Sequence, residues 1–216
     1  MSFRIVDMER DPRRAQFAYF RGLQNPYAGV TAEVEVTPLV NWSRREGCGF
    51  FLPFLYCVSQ AVNAVPELRR RIRGDGSVVE YDRCPTSHTV ALPNGAYCYC
   101  TMTASGTLRE FLPAAAAEQE RAKKNPTMED GGDAEPLVFL SCLPWLSYTA
   151  LVQPTPFPAD SNPRITWGKY AVRDGRAELA VTLLVNHALA DGIHMARFYA
   201  ELERAAADAV RGPAGV

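Results

Sequence analysis

The chain of 216 residues has almost no net charge: 23 basic side chains meet 24 acidic ones, leaving a formal charge of -1. That balance excludes the global positive field that draws proteins to nucleic acid or to an anionic membrane surface, so neither partner is expected and recognition must be local. No apolar stretch approaches the roughly 20 residues needed to cross a bilayer. The N-terminus has no cationic segment followed by an apolar run and a small-residue cleavage site, so no signal peptide is expected. The cysteines, at 48, 57, 84, 98, 100 and 142, include no Cys-x-x-Cys pair, and no metal site is expected. Buried free thiols fit this pattern, and with them a reducing cytoplasm.

What is present is enough apolar side chain, 47% of residues, for one sizeable core, and a single domain over residues 1–216 is expected. Phe17, Phe20 and Leu23 recur at helical spacing among Arg13, Arg14 and Arg21, which predicts an amphipathic helix over residues 12–23. Ala32, Val34 and Val36 alternate with Glu33 and Glu35 and predict a half-exposed strand over residues 31–37. Residues 51–72 read as a long helix with Pro53 in its first turn and Pro66 splitting it; its basic end, Arg69 to Arg71, suits the negative pole of a helix dipole. Strands are expected over residues 77–81, 86–91, 96–103 and 137–142, with an alanine-rich helix over 108–124 and a loop over 125–135. Residues 153–163, with prolines at 154, 156, 158 and 163, read as a long loop. Strands over 165–172 and 177–185 flank a turn at Asp174-Gly175, and Asp191 leads into a closing helix that runs to about residue 210. Strands and helices interleave without regular βαβ alternation, which favours a layered α/β sandwich with a mixed sheet.

One histidine occupies a position suited to chemistry. The apolar strand over 177–185 runs into Asn186-His187 and then into Asp191-Gly192, which sets an imidazole at a strand end beside a tight turn. An imidazole titrates near neutrality and can take a proton from a hydroxyl or an amine without prior ionisation. A histidine simply satisfied in the core at a strand-to-helix junction is the other reading.

The string from His187 through Asp191-Gly192-Ile193-His194 to Phe198 resembles the C-terminal signature of the chloramphenicol acetyltransferases, His-His-x-x-x-Asp-Gly followed by a helix. Its shorter core, His-x-x-x-Asp-Gly, is shared with carrier-protein condensation domains and plant acyltransferases. Three more blocks resemble the same family in the right order: Arg13-Arg14-x-x-Phe17 with Arg21, Gln60-Ala61-Val62-Asn63 with Glu67-Leu68-Arg69, and Ser141-Cys142-Leu143-Pro144-Trp145. The similarity spans nearly the whole chain. It implies a two-layer sandwich with a mixed, largely antiparallel sheet covered by helices. It also implies an enzyme that passes an acetyl or other acyl group from coenzyme A, a co-substrate rather than a bound cofactor, to a hydroxyl of a small molecule. A homotrimer is implied, with the histidine of one subunit facing an acceptor pocket supplied mostly by its neighbour.

Carried over by position, the resemblance makes His187 the general base, its ring held by its own backbone carbonyl, and Ser141 a hydrogen-bond donor to the oxyanion. Thr166 would hold a water in the transition-state network. Asp191 would pair with Arg13 to brace the loop behind the histidine rather than act as a relay. Tyr19, Phe20, Gln24, Tyr97, Met128, Leu151 and Gln153 fall where the family encloses its acceptor, and Trp145, Lys169 and Tyr170 where it lines the coenzyme channel. For Ser141 a strand serine bonding its neighbour's backbone is the alternative; for the channel residues it is ordinary packing or surface.

Three departures from the family pattern bear on function. Asn186 replaces the first histidine of the usual pair; it can donate and accept hydrogen bonds but cannot be cationic. Gln24 and Gln153 stand where the family has leucine, and a buried amide costs about 1–3 kcal/mol unless it is paired. They point to a more polar or differently shaped acceptor, unless both turn to solvent. The Gly47-Cys48-Gly49-Phe50-Phe51 stretch lacks the lysine that the family sets near the coenzyme's ribose phosphate. Arg44 and Arg45 are nearby candidates to replace it; without them an acyl carrier protein becomes a credible donor. A biosynthetic relative acting on an amine or a carrier-bound acyl group, and a trimer that binds a small molecule without turnover, are the competing expectations.

Overall fold

The strand that organises the molecule is built on strict alternation: Val181, Leu183 and Val185 are buried on one face, while Thr182 on the other bonds Thr31 of the neighbouring strand at 2.8 Å. In the computed structural model, which describes residues 1–130 and 132–211, the elements run β1 (Phe3–Val6), α1 (Arg14–Phe20), β2 (Tyr27–Glu35), α2 (Thr37–Glu46), α3 (Phe51–Ala64), β3 (Arg70–Ile72), β4 (Val78–Tyr81), β5 (Thr86–Ala91), β6 (Tyr97–Met102), α4 (Leu108–Lys124), β7 (Val138–Leu143), β8 (Arg164–Gly168), β9 (Ala171–Arg173), β10 (Arg176–Asn186) and α5 (Gly192–Asp208). The large sheet has the order β2-β10-β8-β7-β5-β6, with β9 paired to β10; a small sheet has the order β1-β4-β3. β7 runs parallel to both β8 and β5, and the remaining pairs are antiparallel. The sheet is thus mixed and largely antiparallel, as expected.

One face of the large sheet carries the core. Leu140, Ile165, Trp167, Val181 and Leu183 pack on Phe54, Leu55 and Val58 of α3 and on Phe198 and Leu202 of α5. On the opposite face the side chains in register are hydroxyls: Thr31, Thr182, Thr166 and Ser141 lie side by side across β2, β10, β8 and β7. No helix of the described residues is long and apolar enough to cross a membrane.

Several expectations are corrected. The first helix is shorter than 12–23. The strand expected over 31–37 is β2 and ends at Glu35, and an unforeseen helix, α2, follows: Pro38 in its first turn is pre-set for helix, and Gly47 at φ 67° closes it. The helix expected over 51–72 ends at Ala64, ahead of Pro66; one 3-10 turn, Pro66–Arg69, then leads into β3. Arg70 and Arg71 therefore do not face a helix end. Arg71 is wholly buried, and its guanidinium donates to the carbonyls of Leu68, Arg70, Glu135, Pro136 and Leu137. Such irregular buried backbone would otherwise lack partners. The single strand expected over 165–172 is two, β8 ending at Gly168 and β9 starting at Ala171, and at the break the Lys169 N–H donates to the Leu146 carbonyl at 2.8 Å. The turn at Asp174 and Gly175, φ 50° and 81°, joins β9 to β10 as expected.

His88, on the core face of β5, is buried, and its Nε2 lies 3.0 Å from the amide nitrogen of Gln119 on α4, a contact that needs a neutral, accepting ring. Burial pushes its pKa down to about 4. The unfolded chain takes up this proton near pH 6.5 and the folded chain only near 4, so stability is full above the unfolded value. It should fall by about 3 kcal/mol as the pH drops through that window. Thermal midpoints measured from pH 7 to pH 4 should decline less steeply in His88→Gln than in the parent; equal slopes would exclude His88 as the cause.

Candidate active site

The turn after β10 is held by contacts from three directions. Arg13, just before α1, uses every guanidinium nitrogen on it: Nε donates to Asp191 Oδ2 at 3.1 Å, Nη1 to the Ala188 carbonyl at 3.1 Å and Nη2 to the His187 carbonyl at 3.0 Å. Val6, Phe17, Val78, Ala188 and Leu189 form a small apolar cluster beneath it. Asn186 is buried; its Nδ2 donates to the Asp160 carbonyl at 2.9 Å and its Oδ1 accepts the Ala188 N–H at 3.0 Å. The asparagine that replaces the family's first histidine is therefore a backbone bridge between the turn and the proline-rich loop.

His187 is half-buried at this turn, with its Nδ1 3.0 Å from the Ala190 carbonyl. A carbonyl only accepts, so Nδ1 is the donor of this contact, and in the neutral ring the lone pair then lies on Nε2. The ring also stacks on Phe20, centroids 3.9 Å apart and planes 11° apart. The partner expected for Nδ1, the carbonyl of His187 itself, is instead taken by Arg13, and the turn brings that of Ala190 under the ring.

Asp191 meets Arg13 as expected and makes no hydrogen bond to the His187 ring among the described residues. Partial burial acts to raise its pKa, but the charges of Arg13 and His194 outweigh this and hold it below the usual carboxylate range. His194, buried in the first turn of α5, lies between two acids, its Nδ1 2.9 Å from Asp191 Oδ1 and its Nε2 3.6 Å from Glu67 Oε1. Its side chain was not singled out from sequence, although it lies inside the quoted signature.

A second set of residues gathers on the outer face of the large sheet, around a cavity of about 430 Å³ lined by Ser141, Thr166, Leu151 and Gln153 among others. Ser141 and Thr166 are register partners on parallel strands. Thr166 Oγ1 donates to Gln153 Oε1 at 3.2 Å, whereas Gln153 Nε2 is buried without a partner. Of the two glutamines, Gln153 therefore faces the cavity, and Gln24 is exposed. Tyr97 and Met128 are exposed beside the cavity: the Tyr97 ring lies 6.2 Å from that of Tyr99, and Tyr99 N–H donates to the carbonyl of Thr127. Tyr19 and Phe20 belong to the other set, edge to face at 5.1 Å next to His187. Of the three channel residues, Trp145 and Lys169 are exposed and neighbours, since Lys169 N–H donates to the Leu146 carbonyl at 2.8 Å, while Tyr170 is half-buried against Phe50.

The two sets are far apart within one chain. Thr182, Thr166 and Ser141 lie in one row across the sheet, and His187 is five residues further along β10 from Thr182. Strand geometry puts the His187 and Ser141 Cα atoms roughly 20 Å apart. Missed from sequence were Ser87 and Asp130, which line the cavity and bond one another, and the pairing of Arg164 with Asp160 behind it. Asp130 lies in a Gly- and Asp-rich loop, where no periodicity marks one acid from another.

A family model described as chloramphenicol acetyltransferase matches residues 1–203. The chain is 28% identical over 209 residues to a chloramphenicol acetyltransferase of Streptomyces acrimycini, covering 94% of each. It is 25% identical over 205 residues to chloramphenicol acetyltransferase 3 of Escherichia coli, covering 94% of this chain and 96% of that one. A solved chloramphenicol acetyltransferase superposes with a TM-score of 0.81 at 28% identity, over 94% of this chain and 99% of its own. The cubic core of a pyruvate dehydrogenase complex, at 18% identity and a TM-score of 0.65, shares the fold. With the match running from the first residue through most of α5, the chain belongs to the chloramphenicol acetyltransferase family and is an acyltransferase.

Proposed function

We propose that this single acyltransferase domain moves an acyl group, acetyl in the first instance, from coenzyme A to a hydroxyl of a small molecule, at sites shared between the subunits of a homotrimer. His187 Nε2 takes the hydroxyl proton as the oxygen attacks the thioester carbonyl. The Ser141 hydroxyl donates to the oxyanion of the tetrahedral intermediate. Collapse expels the thiolate, the imidazolium returns the proton to sulfur, and the products are an ester and free coenzyme A. Asp191 and Arg13 brace the turn, and Trp145, Lys169 and Tyr170 flank the coenzyme. The free thiols of all six cysteines fit a reducing cytoplasm.

The separation of His187 from Ser141 carries this reading. A base and an oxyanion donor must each come within about 3 Å of the reacting groups, which two residues roughly 20 Å apart in one chain cannot do. A neighbouring copy brings His187, with Phe20 and Tyr19, over the cavity of the first. His187→Ala and Ser141→Ala chains, each inactive alone, should complement one another in mixed oligomers. Random association in a ring leaves both intact residues at about a quarter of the interfaces, so about a quarter of parent turnover should return. Mixed oligomers as inactive as their parents would exclude the shared site.

A carrier-bound donor is the second reading, motivated by the absence of a lysine from Gly47-Cys48-Gly49-Phe50-Phe51; of the two arginines on α2, Arg45 lies 3.5 Å from Glu46 and Arg44 is exposed. Micromolar binding of free coenzyme A by calorimetry would decide against the carrier.

A further inference from the structure

The cavity beside Ser141 is equipped for a charge that the described residues do not supply. Asp130 lines it, accepts the Ser87 hydroxyl at Oδ1, and forms no ion pair among the described residues. The cavity's arginine does not offset it, because Arg164 is held by both oxygens of Asp160 at 2.8 and 2.7 Å. A carboxylate on the wall of a partly enclosed, partly apolar cavity attracts a cation that can also donate hydrogen bonds.

A second group is unsatisfied on the same wall. With Gln153 Oε1 accepting from Thr166, the Nε2 of that amide has no acceptor among the described residues and is covered, so a ligand oxygen meets it only once the side chain turns toward the cavity. A buried donor in this state costs about 1–3 kcal/mol, a cost removed when a ligand oxygen takes the hydrogen bond. A carboxylate and an amide N–H thus flank the serine, one suited to a ligand's ammonium group and the other to its oxygen.

We propose that the acceptor is a cationic amino alcohol, of the amino-polyol or aminosugar class. Its ammonium group pairs with Asp130, an oxygen accepts from Gln153 Nε2, and a hydroxyl near Ser141 is acylated. The amine stays protonated, so it anchors the molecule and does not compete as nucleophile. This rests on the acyltransferase reading above and narrows its substrate.

The test is a thiol-release assay with acetyl-CoA and matched acceptors, an aminosugar and an aryl amino-diol, each beside its uncharged N-acetylated counterpart. Calorimetry of the same compounds without acetyl-CoA accompanies it. The amines should bind and turn over with KM values about 10- to 100-fold below those of their counterparts. Asp130→Asn should erase that preference, and Gln153→Leu should raise KM for the acceptor while leaving KM for acetyl-CoA unchanged. Equal or better turnover of the uncharged compounds, or a loss in Asp130→Asn that is the same for both members of each pair, overturns the proposal and leaves acyl transfer standing. A Gln153→Leu effect confined to KM for acetyl-CoA reassigns that amide to the donor and overturns its acceptor role. Binding of the amines lost in Asp130→Asn, with no thiol release from any acceptor, would uphold the recognition and overturn acyl transfer. Neither binding nor release from either set overturns both.

Discussion

His187→Ala should lower the turnover number for acyl transfer by about 10²- to 10⁴-fold, the range that a positioned general base contributes. The effect should fall on kcat, with KM for the acyl donor near the parent value, because a general base acts in the transfer step and not in binding the donor. The fold should survive, since Arg13, Asn186 and the Ala188–Leu189 cluster hold the turn besides the one bond from the imidazole to Ala190. Circular dichroism of the variant beside a thiol-release assay would separate lost chemistry from lost structure. Parent turnover in a folded His187→Ala oligomer would remove the base assignment. The same assay distinguishes a brace from a relay: Nδ1 of His187 faces the Ala190 carbonyl and Asp191 faces Arg13 and His194. Asp191→Asn should accordingly cost less turnover than His187→Ala and show up in part as lowered thermal stability.

Ser141→Ala should lower kcat by about 10²- to 10³-fold, as removal of one oxyanion donor does elsewhere. Ser141 opens on the cavity from the middle of β7, with Thr166 beside it on β8. Its neighbours on both strands are paired in the sheet, so the loss of one hydroxyl leaves the backbone in place. KM for the acceptor should change little, because the bond forms to an oxygen that becomes anionic only on the way to the intermediate. A Ser141→Ala variant with raised KM and unchanged kcat would make the serine a binding contact.

Much of the fold was legible because most of its elements announce themselves by periodicity. The alternation from Ala177 to Val185, the capped alanine-rich run from Leu108 to Lys124 and the apolar spacing of the closing helix survive almost unchanged as β10, α4 and α5. The elements that escaped are those whose partners, not their own residues, make them regular. β1 buries only Val6 of its four residues, and β3 is three residues long; pairing with β4 turns both into strands. Helix α2 was hidden because Val34 and Val36 carry the strand's alternation to its first turn, and Pro38 decides against it.

The sequence by itself determined the family, through four blocks of residue types in the right order, and the resemblance nominated His187 as the base and Arg13 as the partner of Asp191. Only the tertiary structure decided which atoms do the holding. The carbonyl under the His187 ring belongs to Ala190, a choice made by the path of the turn and by Arg13 occupying the nearer carbonyl. It also decided that Gln153 faces the cavity while Gln24 faces solvent, and that Asp130 stands on the wall without an ion-pair partner among the described residues. Strand order and register set the His187 and Ser141 Cα atoms roughly 20 Å apart within a single chain. Local pattern encodes what a residue is and which way its element turns. Distances between residues remote in sequence follow from strand order and register, which the packing of the whole sheet on its helices selects.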